Sequence, residues 1–231
     1  MTAETITSEQ QTAARIAGFL YLFLMATSIF AEMFVNERLI VAGDVAETAR
    51  NIAASNHLFR FGTVVSLLTF AGDIVLVVAL YVLLKPVNRG LALLAAFWRL
   101  AESAILGLVT LNNFAVAMTL SGAPYLQSFN SEQLQGLARL FYNVEGAGYR
   151  IGFTFLALGG TLFSYLMLKS RYVPRLLAGW GIFAYLVMLA GTLVVMVVPE
   201  LAATLNMTHY MPVFVFEVTA GAWLLVKGVR R

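Results

Sequence analysis

The segment Phe97-Trp-Arg-Leu-Ala-Glu-Ser103 places an arginine and a glutamate three residues apart inside a long apolar run, Gly90 to Leu120. A helix of about 20 apolar residues is long enough to cross the hydrocarbon core of a bilayer. An ionisable residue near the middle of such a helix costs roughly 2.5–3.5 kcal/mol on insertion scales, so it usually faces the protein interior. Because residues i and i+3 share a helix face, Arg99 and Glu102 are expected to lie together inside a membrane bundle.

The composition supports this interpretation. Of 231 residues, 60% are hydrophobic and only 12% are charged, whereas soluble domains carry about 25% charged residues. The sequence therefore predicts an all-α fold, a polytopic membrane helical bundle with six transmembrane helices in a single domain over residues 1–231. The expected spans are about 16–35, 58–84, 90–120, 148–168, 176–198 and 211–226.

Cysteine and histidine usage excludes several kinds of site. The chain has no cysteine, which rules out disulfides, thiolate metal sites and a cysteine nucleophile. It has two histidines, His57 and His209, and neither forms a metal-binding spacing. We therefore expect no metal site. We also expect no cofactor and no nucleic-acid partner, and the apolar composition predicts that the protein is embedded in a lipid bilayer.

Basic residues concentrate at one end of the predicted spans. Nine of the 15 Lys and Arg residues fall on the side of the two termini, namely Arg15, Lys85, Arg89, Lys169, Arg171, Arg175, Lys227, Arg230 and Arg231. Because cytoplasmic loops carry an excess of Lys and Arg, the sequence predicts a multi-pass protein of a cell membrane with both termini inside.

The segments outside the spans are polar, and three of them carry predictions, namely the amino-terminal tail and two connections. Met1 to Ala14 is expected to be a short polar tail. In the connection Asn36 to His57, Asp44 and Glu47 form a capping-box pattern that predicts a short helix ending near Ser55. The connection Ser121 to Glu145 is expected to hold an amphipathic helix that lies at the interface or covers the bundle. Its apolar positions are Leu134, Leu137, Ala138 and Phe141.

Polar residues at helical spacing form one face on each of several spans. These faces are expected to turn inward, where small and hydroxyl residues also serve as ordinary helix contacts. On the first span the face is Tyr21, Met25, Ser28 and Glu32; on the second, Thr63, Ser66, Thr69 and Asp73; on the third, Arg99, Glu102, Ser103, Thr110 and Asn113.

The rise of 1.5 Å per helical residue separates the polar side chains into two levels. Near mid-membrane lie the ligand- or ion-binding candidates Asp73, Arg99, Glu102, Glu217, Thr69 and Ser103. Near the outer boundary lie Glu32, Asn112, Asn113, Glu145 and Arg150, candidates for the mouth of the same cavity. Three acids and one arginine leave a formal charge of −2 at the deeper level, which requires protons, a cation or a basic ligand.

Three functions are compatible with such a site. The first is binding of a small ligand, cation or proton by a transporter-like or sensor-like protein. The second is an intramembrane enzyme that uses Asp73, Glu102 or Glu217 as acid or base on a lipid-like substrate. The third is a structural or assembly protein whose charges only hold the helices together. The sequence identifies neither a reaction, a catalytic residue nor an oligomeric state, and the absence of any catalytic motif argues against an enzyme.

With these residues assembled, the chain resembles the bacterial membrane family known as domain of unknown function 4386. The resemblance is carried by Ala14 to Tyr21, Leu80 to Asn88, the Arg-Leu-x-Glu core at Arg99, Tyr172 to Arg175 and Leu224 to Gly228. It implies a bacterial cytoplasmic membrane protein in which Asp73, Arg99, Glu102 and Glu217 occupy polar positions that relatives also use. Relatives tend to have a histidine-glycine pair where this chain has Glu145-Gly146, so no role of that histidine carries over. The family has no assigned activity to transfer.

Overall fold

The computed structural model describes residues 6–41, 44–205 and 207–229, and these residues form helices and connecting turns without a strand. Arg230 and Arg231, two of the basic residues used for the orientation, lie outside the described residues. The main helices are α1 (Ser8–Ala31), α2 (Val45–Ala54), α3 (Asn56–Leu84), α4 (Arg89–Thr119), α5 (Ser131–Ser170), α6 (Arg175–Val197) and α7 (Met211–Val226).

Short helical turns complete the architecture. Helix α1 continues through a π-helical turn, Glu32–Asn36, into a last α-turn, Glu37–Leu39. The 3-10 turns Pro124–Leu126, Pro199–Leu201 and Thr208–Tyr210 and the four-residue helix Ala202–Leu205 lie in the connections. Six helical segments are long and apolar enough to cross a membrane, so the predicted six-helix membrane architecture is confirmed and the protein is a multi-pass membrane protein.

Polar side chains define where several helices begin. The Asp44 carboxylate accepts a hydrogen bond of 2.8 Å from the Glu47 amide, so the predicted short helix α2 is confirmed with its cap. Asn130 and Gln133 form a reciprocal capping box at the start of α5, with two bonds of 2.9 Å. Asn88 accepts from the Leu91 amide at the start of α4.

The amphipathic helix predicted before the fourth span is observed with its apolar face turned inward, but it is not separated from that span. Residues 131–147 are the first part of α5, a continuous helix of 40 residues, and not a separate interfacial helix. Ala138 on its apolar face is buried against a cluster that includes Val35, Ile52 and Phe59. No proline interrupts the segment, so nothing stops the helix at residue 148, and tertiary packing compensates for its polar composition.

The amino-terminal prediction is wrong for the part that is described. Helix α1 begins at Ser8, and Ala13 and Ala14 are buried. Gln10 donates to the Tyr172 hydroxyl at 2.8 Å, and Gln11 donates to the Val229 carbonyl at 2.7 Å. These amides satisfy polar groups of distant segments, which explains why a polar stretch belongs to the packed helix.

The chain forms two compact units. Unit 1 comprises Met1–Met25, Gly72–Ser103 and Arg150–Arg231, and unit 2 comprises Ala26–Ala71 and Ala104–Tyr149. The core of unit 1 includes the fully buried Phe163, Tyr185 and Phe216. The single domain over residues 1–231 therefore stays a prediction, and each unit is described by itself below.

Candidate functional site

An ion pair between α3 and α4 forms the centre of the candidate site in unit 1. The Arg99 guanidinium donates through Nη2 to Asp73 Oδ1. The Ser103 hydroxyl donates to the other carboxylate oxygen of Asp73 at 2.7 Å. All three residues are buried, with Arg99 only 4% exposed. Each oxygen of the Asp73 carboxylate thus has a donor.

Glu102 lies on the other side of the same guanidinium. Its Oε2 is 3.5 Å from Arg99 Nε, so the predicted proximity of these two residues one turn apart is observed. The distance is too long for a strong hydrogen bond. Among the described residues, Arg99 Nη1 and Glu102 Oε2 have no hydrogen-bond partner although both atoms are buried. Arg99 therefore forms a direct hydrogen bond with Asp73, whereas it offsets the negative charge of Glu102 only through its position 3.5 Å away.

Glu217 of α7 joins the cluster through a tyrosine. The hydroxyl of Tyr185, on α6, donates to Glu217 Oε1 at 2.7 Å. Tyr185 is 1% exposed and packs edge-on against Phe216. Glu217 interacts electrostatically with both Arg99 and Asp73, so it belongs to the same charged cluster. Tyr21 of α1 adds a second buried hydroxyl beside Tyr185.

Two adjacent glycines of α5 make room for this cluster. A Cβ added at Gly159 would lie 2.7 Å from Arg99 Cγ and 3.0 Å from the Ala95 carbonyl oxygen. A Cβ added at Gly160 would lie 2.4–2.5 Å from three ring atoms of Tyr185. The pair therefore lets α5 pass directly over the arginine stem and the tyrosine ring.

We name Asp73, Arg99, Glu102, Ser103, Glu217, Tyr21 and Tyr185 the acid cluster. Its three carboxyl groups lie near one guanidinium, and the ion pairs that these acids form within the described residues are both with Arg99. Burying a charge without a partner is costly, so proteins pair such groups or neutralise them. The arrangement can hold protons or a cation, and its hydroxyls can donate to carboxylates.

The outer candidates and Thr69 lie in unit 2, with the exception of Arg150, which lies in unit 1. Asn113 donates to Glu145 Oε1 at 3.0 Å, so these two residues are brought together. Asn112 instead donates to the Val109 carbonyl of its own helix. Thr69 donates to Thr27 Oγ1 at 2.9 Å and is not a member of the acid cluster. That the outer residues form the mouth of one common cavity stays a prediction.

The polar face predicted for the first span is only partly inward. Tyr21 is buried and Met25 is partly buried, but Ser28 and Glu32 are exposed. The prediction is therefore wrong for these two side chains. Ser28 lies in the regular α-helical part of α1 and Glu32 is the first residue of the π-helical turn, so a change of helical period does not account for their exposure.

The sequence did not lead us to predict three residues of this site, Tyr185, Gly159 and Gly160. Tyr185 lies in an apolar run without a polar stripe, and its role depends on Glu217, which is 32 residues away. The Gly159-Gly160 pair was a detectable signal, since adjacent glycines inside a helix indicate close approach of another element. Within the described residues, no group of three histidine or acidic side chains is arranged to hold a metal ion.

A family model described as Domain of unknown function (DUF4386) matches residues 16–228. The match covers α1 from Ile16 through the end of α7 and includes every member of the acid cluster. No curated protein and no solved structure matches this chain at a significant level.

Proposed function

This chain belongs to the DUF4386 family, whose description assigns no activity, and we propose from its own site that it binds and releases protons at the acid cluster. Such a site serves a proton-coupled transporter or a membrane sensor. The proposal extends to a cytoplasmic membrane of a bacterium with both termini inside, supported by the distribution of Lys and Arg. A small cationic ligand is the related alternative for the same site.

One observation carries the proposal: three acids meet one arginine in the interior of unit 1. The Arg99–Asp73 pair is close to neutral as a unit, and Ser103 satisfies the remaining oxygen of Asp73. Glu102 has to share this arginine, at 3.5 Å from its Nε, and Glu217 is bonded to Tyr185 and forms no ion pair within the described residues. Because an uncompensated buried carboxylate is costly, each of these acids needs a proton or a cation from outside the chain.

The hydrogen-bonding groups around the acids suit proton exchange. The Tyr185 hydroxyl donates to Glu217, and Tyr21 lies beside it. A hydroxyl can donate one proton while it accepts another, so this pair can pass a proton to or from the carboxyl group. Glu102 and Glu217 are the groups that we expect to change protonation.

The first test is pH-difference infrared spectroscopy on the purified full-length protein. We expect a carboxyl band that changes with pH and disappears in Glu217→Gln or Glu102→Gln. Tyr185→Phe should shift the frequency of the Glu217 band because it removes the 2.7 Å hydrogen bond. Glu200→Gln, which alters an exposed acid of the same unit, is the matched control and should leave the band unchanged.

A spectrum without a titrating carboxyl band would contradict the proposal. So would a band that survives in both glutamine variants. Either result would favour a second function, that of a structural membrane protein, which is supported by the direct contact of Arg99 with Asp73 and by the Ser103 bond. In that case the same variants should change stability and leave proton binding unaffected.

A further inference from the structure

Unit 2 contains a small polar cavity that the acid cluster does not involve. Its volume is about 20 Å³, and its polar lining residues are Thr63, Ser66, Asn113, Glu145 and Tyr149. A cavity needs about 10–15 Å³ on this measure to hold one water molecule. The space therefore accommodates one particle of the size of a water molecule or a small ion.

The lining presents an anionic group to this space. Glu145 is 9% exposed, and Asn113 donates to its Oε1 at 3.0 Å. A carboxylate has about four lone-pair positions, so this bond leaves acceptor capacity. Glu32 adds a further negative electrostatic contribution at Glu145. Two acidic residues, Glu145 and Glu32, thus contribute negative charge at this cavity.

The neutral lining groups also present oxygen lone pairs. The Thr63 hydroxyl uses its proton in a 3.0 Å bond to the Phe59 carbonyl, which leaves only acceptor positions on that oxygen. Asn113 directs its amide nitrogen to Glu145, so its carbonyl oxygen also acts as an acceptor. Ser66 supplies a third neutral oxygen. A lining of one carboxylate and neutral oxygen acceptors suits a hard cation.

The backbone next to the cavity is irregular. Ala31 and Val35 line it, and the π-helical turn Glu32–Asn36 lies in the same segment of the chain. Single π-helical turns inside long helices occur frequently at functional sites. This turn is an observation independent of the side-chain chemistry, and it lies in the first membrane-spanning segment.

We propose that this cavity binds one monovalent metal cation of the size of Na⁺, with Glu145 as the charged ligand and Thr63, Ser66 and Asn113 as neutral oxygen ligands. One buried carboxylate balances a single positive charge. Ca²⁺ requires six to eight oxygen ligands, more than the four residues named here are expected to supply, and Mg²⁺ retains several waters, whereas a cavity of about 20 Å³ has room for about one. The site lies in unit 2 and does not depend on the acid cluster.

The test measures thermal unfolding of the detergent-purified full chain in NaCl and in N-methylglucamine chloride at equal ionic strength. A ligand at a hundredfold its Kd is expected to raise Tm of a protein this size by roughly 5–10 °C. We expect a saturable, Na⁺-specific rise of this order for the wild type. Ser66→Ala and Glu145→Gln should abolish or strongly reduce it.

Two controls make the outcome decisive. Asn112→Ala changes the residue next to Asn113, whose side chain bonds to its own helix, and should keep the Na⁺ effect. Glu217→Gln in unit 1 should also keep it, which separates this site from the proposed proton site. An equal Tm in both salts, or a Na⁺ effect that persists in Ser66→Ala and Glu145→Gln, would overturn the proposal and leave a cavity that holds water only.

Discussion

Replacement of Arg99 by glutamine is expected to destabilise the protein by about 3–5 kcal/mol, the range found when one partner of a buried ion pair is removed. The guanidinium is 4% exposed, bonds directly to Asp73 and lies 3.5 Å from Glu102. Without it, the acid cluster retains three acids and no base among the described residues. For a chain of this length the loss corresponds to a fall in Tm of roughly 6–20 °C, measurable by thermal unfolding in detergent.

A second substitution tests whether the loss of stability comes from the broken Arg99–Asp73 interaction and not from general misfolding. Asp73→Asn removes the carboxylate that Arg99 binds most closely, so the double variant Arg99→Gln/Asp73→Asn should lose less stability than the two single variants added together. Interaction energies of residues in direct contact are about 0.5–3 kcal/mol in such cycles. Arg89→Gln, an exposed arginine at the start of the same helix, should change stability by no more than about 0.5 kcal/mol. Additive single effects would show that Arg99 and Asp73 are not coupled.

Most residues of the acid cluster could be predicted from the sequence, because the bilayer restricts where a charged residue of a membrane span can lie. Long apolar runs identify the helices, and a charged residue inside such a run has to face the interior. This reasoning identified Asp73, Arg99, Glu102 and Glu217, which the structure places in one unit. It did not identify the pairing. Helical spacing favoured Glu102 as the partner of Arg99, whereas Asp73, on a different helix, makes the direct bond.

The remaining features depend on tertiary contacts that hydropathy does not report. The first half of α5 looks like a connection because it carries polar residues such as Glu132, Gln133 and Arg139, and the sequence alone does not show that Ala138 packs in the cluster with Val35 and Ile52. The helical start at Ser8 has a local capping box, in which Thr7 and Gln10 bond reciprocally at 2.9 and 3.2 Å, and Gln10 and Gln11 also bond to residues more than 150 positions away. The inward face predicted from Tyr21 fails at Ser28, which lies before the π-helical turn, and at Glu32, the first residue of that turn, because helical spacing alone does not say how far along a helix its buried face extends.

The fit of α5 over Tyr185 gives the second large expected effect. Gly160→Ala would place a methyl group 2.4–2.5 Å from three ring atoms of a side chain that is 1% exposed. The ring lies against Phe216 and is held by its bond to Glu217, so it cannot move without breaking these contacts. Overpacking of this kind costs about 1–3 kcal/mol, and we expect a lower Tm together with a shift of the Glu217 carboxyl band in the infrared spectrum.

The control for this prediction is Gly179→Ala, in α6 of the same unit, where an added Cβ meets nothing within 4 Å. Alanine is the better helix former by about 1 kcal/mol, so this variant should keep or raise Tm. Combining Gly160→Ala with Tyr185→Leu removes the ring that the methyl group would strike, and the double variant should lose less stability than the sum of its parts. A Gly160→Ala protein with unchanged Tm and an unchanged Glu217 band would show that the glycine is not what positions Tyr185 against this acid.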